Sequence, residues 1–133
     1  MDTRTKIVDT SKASAAAREW RARGGRLLAV TGYFDVLQAS HVRELAEARR
    51  AAGDSLLMAL LVPPPDPVQA PQARAELAAG LAMVDYVVTT ENGPALEALL
   101  AAIEPDTVVR LETADELRMR QLIEHVHRRH TGA

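Results

Sequence analysis

Cysteine is absent from the 133 residues, which excludes a disulfide frame, a thiolate metal site and a cysteine nucleophile, and fits the reducing cytoplasm expected as its compartment. Lysine is nearly absent. Of sixteen basic residues only Lys6 and Lys12 are lysines, so a phosphate bound farther along the chain must meet arginine, histidine or backbone amides. Aromatic residues make up 3% and do not interleave with basic ones, so no platform for single-stranded nucleic acid is expected. The longest apolar run, Leu56 to Val62, is too short to cross a bilayer, and the charged N-terminus lacks the apolar segment of a signal peptide. Neither a Gly-x-Gly-x-x-Gly dinucleotide motif nor a Walker loop is present. A net charge of −2 gives no global attraction to nucleic acid or to an anionic membrane, and neither is expected as a partner.

What is there suffices for one core. Apolar residues are 47% of the chain, and the length fits a single domain over residues 1–133. Ser11 to Arg23 reads as an alanine-rich helix anchored by Trp20 and ended by Gly24-Gly25. Leu27 to Thr31 and Leu56 to Val62 read as buried strands. Between them His41 to Ala52 reads as a helix, with Val42, Leu45 and Ala46 facing inward. Five prolines between Pro63 and Pro71 predict an extended loop poor in amide donors. The remaining pattern gives helix Gln72–Leu81, strand Tyr86–Thr89, helix Pro94–Ile103 and strand Thr107–Leu111. Thr113 and Glu116 form a capping box for a last helix. Strands alternating with helices at this spacing predict a Rossmann-like three-layer α/β/α fold with a parallel sheet of four strands and room for a fifth at an edge. Its ligand crevice lies at the carboxyl ends of the strands.

The run Val30-Thr31-Gly32-Tyr33-Phe34-Asp35-Val36-Leu37-Gln38-Ala39-Ser40-His41 joins the first strand to its helix. It resembles the T-N-G-C-F-D-x-L-H-x-G-H signature of the cytidylyltransferase-like nucleotidyltransferases, a group that includes the nucleotidyltransferase domain of ADP-heptose synthase and glycerol-3-phosphate cytidylyltransferase. The resemblance continues through His41 to Asp54, Arg74 to Val88, and Glu104-Pro105-Asp106-Thr107-Val108-Val109-Arg110, in order and at matching spacing. It implies the nucleotidyltransferase version of the fold, binding of CTP or ATP, magnesium entering with the nucleotide and not held by the protein alone, and often a homodimer. The chemistry it implies is attack on the nucleotide's α-phosphate with release of pyrophosphate, the charge on the transferring group being stabilised by two histidines and by amides at a helix start.

The sequence departs from that signature where catalysis is concentrated. His41 keeps the second histidine position, but Gln38 replaces the first, and a neutral amide donates a hydrogen bond without bringing positive charge. Ser40 stands where glycine is expected, either crowding the phosphate or serving as an ordinary N-cap. Thr31 replaces asparagine, and Leu61-Val62-Pro63 replaces a polar triad. The catalytic candidates are therefore His41 and the degenerate Gln38. Gly32, Tyr33, Phe34, Ser40, Arg74 and Arg110 are candidates for contacting the nucleotide. Each has a plainer alternative: His41 a solvated residue, Gln38 a loop position free to vary, Tyr33 and Phe34 core packing, Arg74 and Arg110 surface salt bridges. Asp35 is expected to organise the loop through backbone hydrogen bonds and not to act as a base. His125, His127 and His130 do not converge on one helical face, so no metal site is expected. The resulting expectation is a nucleotidyltransferase-like domain with a reduced phosphate cradle and weak or absent catalysis, a possible pseudoenzyme. An active cytidylyl- or adenylyltransferase acting on a sugar or polyol phosphate and a non-catalytic interaction module are the alternatives.

Overall fold

The computed structural model describes residues 2–35 and 39–113. A 3-10 turn at Thr3–Lys6 precedes α1 (Thr10–Ala22), β1 (Arg26–Gly32), α2 (Ala39–Ala52), β2 (Ser55–Leu61), α3 (Pro71–Ala79), β3 (Tyr86–Thr89), α4 (Gly93–Ile103) and β4 (Thr107–Arg110). All three strand pairings are parallel, in the order β3-β2-β1-β4. At the edge where a fifth strand had room, the described residues place one bridge, Ile7 to Val87, against β3.

Side chains along β1 and β2 alternate between two cores, as the two-residue period of a strand requires. Leu28, Val30, Leu57, Ala59 and Leu61 meet Leu45 of α2 and Ala75, Ala78 and Ala79 of α3 on one face. Leu27, Ala29, Met58 and Leu60 meet Ala13 and Ala17 of α1 and Leu96, Leu99, Leu100 and Ile103 of α4 on the other. The three layers follow from a sheet apolar on both faces.

Local chemistry sets the helix boundaries. The Asp9 carboxylate accepts from Lys12 N at 2.7 Å and opens α1, and Asn92 does the same for α4 through Ala95 N at 2.8 Å. Pro71, assigned from sequence to the loop, instead starts α3, where its missing N–H costs nothing. Trp20 is half-buried and closes a turn in place of anchoring the core. Its Nε1 donates to Arg26 O at 2.7 Å, and its ring lies so close to Gly25 that a Cβ there would stand 2.3 Å from Nε1. The inward stripe of α2 also differs from expectation: His41 and Leu45 are its buried residues, with Ala48 and Ala52 partly buried behind them. Val42 and Ala46 are only half-buried. Leu111 to Thr113 are already helical, so the last helix opens before the Thr113-Glu116 box. Glu116 and the three C-terminal histidines lie outside the described residues.

Candidate functional site

The carboxyl ends of β1 and β2 meet the start of α2 and the first turn of α3. β4 lies on the other side of β1, so the strand order reverses between β1 and β4, and a crevice forms where a ligand is expected in an open α/β sheet.

At the end of β1, Gly32 is still a strand residue, in register with Leu61. The left-handed backbone belongs to Phe34, with φ 51°. Glycine at position 32 makes room for a ring: an added Cβ would lie 3.1 Å from Phe34 Cε2 and 3.4 Å from Leu111 Cβ. Phe34 is buried in the core beneath α2 and α3, and Tyr33 packs against the opposite core. Their side chains thus follow the core-packing alternative. A phenylalanine in the left-handed region carries a cost of roughly 1–2 kcal/mol, offset here by burial of its ring.

Asp35 organises the loop, as expected. Its carboxylate accepts from Val68 N at 2.7 Å and from Gln69 N at 2.8 Å, and its carbonyl accepts from Gln69 Nε2. These bonds fasten the proline-rich segment over the end of β1. Ser40 is half-buried inside the first turn of α2, one residue after the helix begins, so it is not the N-cap. Gln38 lies outside the described residues. His41 is 8% exposed, which rules out the solvated reading and turns this residue toward the sheet.

The sequence misjudged Arg74 most. It is 3% exposed and takes part in no ion pair among the described residues. Its Nη1 donates to Tyr33 O at 3.1 Å and to Val62 O at 3.3 Å, tying together the segments that leave β1 and β2. Its Nε is buried with no hydrogen-bond partner. A buried guanidinium satisfied only by two long bonds to carbonyls is an incompletely neutralised cation, costly unless an anion completes it. Arg110 follows the salt-bridge alternative. Its guanidinium bonds Glu97 at 2.7 and 3.2 Å, holding the Glu97 carboxyl below the usual glutamate range and raising its own pKa.

The sequence reading passed over Glu112. This residue follows β4 and reaches across the switch point, where its carboxylate accepts the Thr31 hydroxyl at 2.6 and 2.9 Å and lies 3.8 Å from Arg110. Thr31 is fully buried and the Glu112 side chain is 14% exposed. The available signal was positional: an acidic residue two places beyond a strand at the crevice. Among the described residues no group of three or more His, Cys, Asp or Glu is placed to hold a metal, and no helix is long and apolar enough to cross a membrane.

No protein-family model matches the chain. Bifunctional protein HldE of Wolinella succinogenes is 31% identical over 148 aligned positions, covering 99% of this chain and 31% of that protein. The HldE of Acidiphilium cryptum is 41% identical over 113 positions, 79% of this chain and 23% of the relative. The chain therefore spans less than a third of the length of these curated relatives. Among solved structures, the lipopolysaccharide core biosynthesis protein from Thermoplasma volcanium superposes with a TM-score of 0.54 at 22% identity, over 62% of this chain and 71% of that one, a likeness of fold.

Proposed function

Since the chain belongs to the cytidylyltransferase-like nucleotidyltransferase family, we propose that it is a nucleotidyltransferase-like domain that retains a phosphate-binding cradle and has weak or absent catalysis. The observation that carries this reading is Arg74: a buried cation at the strand ends with an unsatisfied Nε is a site prepared for an anion. His41, buried in the first turn of α2, supplies the second group, and a phosphate between them would also meet the positive end of that helix. Magnesium would enter with a triphosphate and be held largely by its oxygens, as the family resemblance implies. When bound it would screen the phosphate charge.

Three features support impaired catalysis. Gln38 stands at the first histidine position of the signature, Arg110 is engaged by Glu97, and the Glu112 carboxylate occupies the switch point. Each removes positive charge from where the transition state would need it, and one lost donor costs roughly 10²–10³ in rate. A cytoplasmic protein that pairs as a homodimer is the companion reading. The test is calorimetric titration of the protein with CTP and ATP, with and without magnesium, repeated on His41→Ala. Saturable binding lost in the variant is expected, with little or no pyrophosphate released when sugar or polyol phosphates are added. A folded protein that gives no heat with either nucleotide overturns the cradle.

A further inference from the structure

β4 lies at one side of the sheet, and among the described residues no strand pairs with its outer edge. The hydrogen bonds of β1 fix which groups that edge presents. Gly32 O accepts from Val62 N, so the even-numbered residues of β1 bond β2 and the odd-numbered ones bond β4. In the register that sets Ala29 beside Val108 and Thr31 beside Arg110, Val108 and Arg110 therefore turn their N–H and C=O groups away from β1. Thr107, Val108 and Arg110 are exposed, and Val108, at 39%, is one of two large apolar side chains that the described residues expose. β4 carries neither the lysine nor the proline that commonly guards a bare edge.

We propose that the outer edge of β4 is where two copies of this chain join, antiparallel across a two-fold axis through Val108, making one continuous sheet of their two. The inference rests on the homodimer reading above and gives it a surface. Centring the pairing on Val108 sets that residue opposite its own copy, Thr107 opposite Val109, and Asp106 opposite Arg110. The two Val108 residues exchange backbone hydrogen bonds. Their side chains meet on the α4 side, where Arg110 already reaches Glu97, and each is flanked there by a pair of opposite charges. Asp106 is exposed and accepts from Leu27 N through Oδ2, so its Oδ1 can face the partner's Arg110. Thr107 and Val109 meet on the α2 side, where Val109 packs against the first core. Branched and oppositely charged cross-strand pairs are those that stabilise antiparallel strands. Each pair other than the central one occurs twice, as an isologous interface requires.

Light scattering on the full chain should show a dimer that two variants weaken. Val108→Pro removes an N–H that the β1 ladder does not use, and should raise the dissociation constant roughly 10–100-fold, the scale of two hydrogen bonds lost across one interface. Val108→Lys sets like charges opposite each other and should act in the same direction; at an exposed position it carries the test should the proline variant fail to fold. The chain has no cysteine, so Val108→Cys supplies a sole thiol. Opposed residues of antiparallel strands lie about 5.5 Å apart, within disulfide reach, and mild oxidation should give a covalent dimer. Val68→Cys, at a position 76% exposed, should cross-link far more slowly. A dimer that neither Val108→Pro nor Val108→Lys weakens, or equal cross-linking through positions 68 and 108, overturns the β4 edge and leaves the homodimer reading standing. A chain that stays monomeric at every concentration overturns both.

Discussion

Replacing Arg74 with methionine separates a strut from a binding group. The guanidinium makes two hydrogen bonds, at 3.1 and 3.3 Å, at the long end of the useful range. Charge-assisted bonds of that quality contribute about 1.5 kcal/mol each, so removing them costs about 3 kcal/mol. Against this stands the burial of a cation with no carboxylate partner among the described residues and an orphaned Nε, a penalty of several kcal/mol that methionine, similar in length and apolar, does not carry. The two effects nearly cancel. Arg74→Met should therefore unfold in urea within about 1.5 kcal/mol of the unaltered protein, whereas a residue whose role is structural would cost about 3–5 kcal/mol and move the urea midpoint by roughly 2 M. Nucleotide should stabilise the unaltered protein by about 2.7 kcal/mol at a hundred times its dissociation constant, and should leave Arg74→Met unchanged. A large fall in the midpoint, or equal stabilisation of both proteins by ligand, would refute the reasoning.

Asp35→Ala should cost about 2 kcal/mol, because it loses two part-buried hydrogen bonds to backbone amides; limited proteolysis within residues 63–70 should accelerate, and an unchanged digestion rate would count against the tether. Gly25→Ala should destabilise by about 1–3 kcal/mol, since its Cβ would displace the Trp20 ring and its bond to Arg26. Gly24→Ala, with φ +80° and open space around it, should cost about 1 kcal/mol, and urea melts that reverse this order would refute the packing argument. Lowered by the Arg110 hydrogen bond, the Glu97 pKa makes the pair's contribution complete above the ordinary value of 4.5 and lost as the pH falls through the lowered one. Both partners are largely exposed, so Glu97→Gln should flatten the acid limb only slightly, and 1 M salt should abolish the difference in thermal unfolding between the two proteins.

Particular residues show how far the sequence could be read. Leu27 to Thr31 and Leu56 to Val62 were legible as strands because each is a short apolar run bounded by turn residues, and both lie within one residue of the observed spans. Asp35 was legible as a loop organiser because aspartate in a turn commonly accepts from backbone amides; that those amides belong to Val68 and Gln69 was not legible. Arg74 was not, because a helical arginine looks the same in sequence whether it points to solvent or into a sheet. Its burial depends on α3 packing over the ends of β1 and β2. The inward face of α2 was misplaced for a related reason: buried His41 extends the stripe toward the crevice in a way that apolar periodicity does not register.

Composition and periodicity by themselves determined the alternation of elements and the two-sided burial of the sheet, because these follow from local preferences and from hydrophobic patterning repeated along the chain, while the family was legible only through the resemblance of the Val30–His41 run and the later blocks to a known signature. Only the tertiary structure decided the charge of the crevice. Arg74 and Tyr33 are separated by 41 residues and Thr31 and Glu112 by 81. Contacts between such distant positions exist only once parallel strands have brought their carboxyl ends together, where burial makes an incompletely satisfied cation and an anchored carboxylate far more consequential than either would be in water.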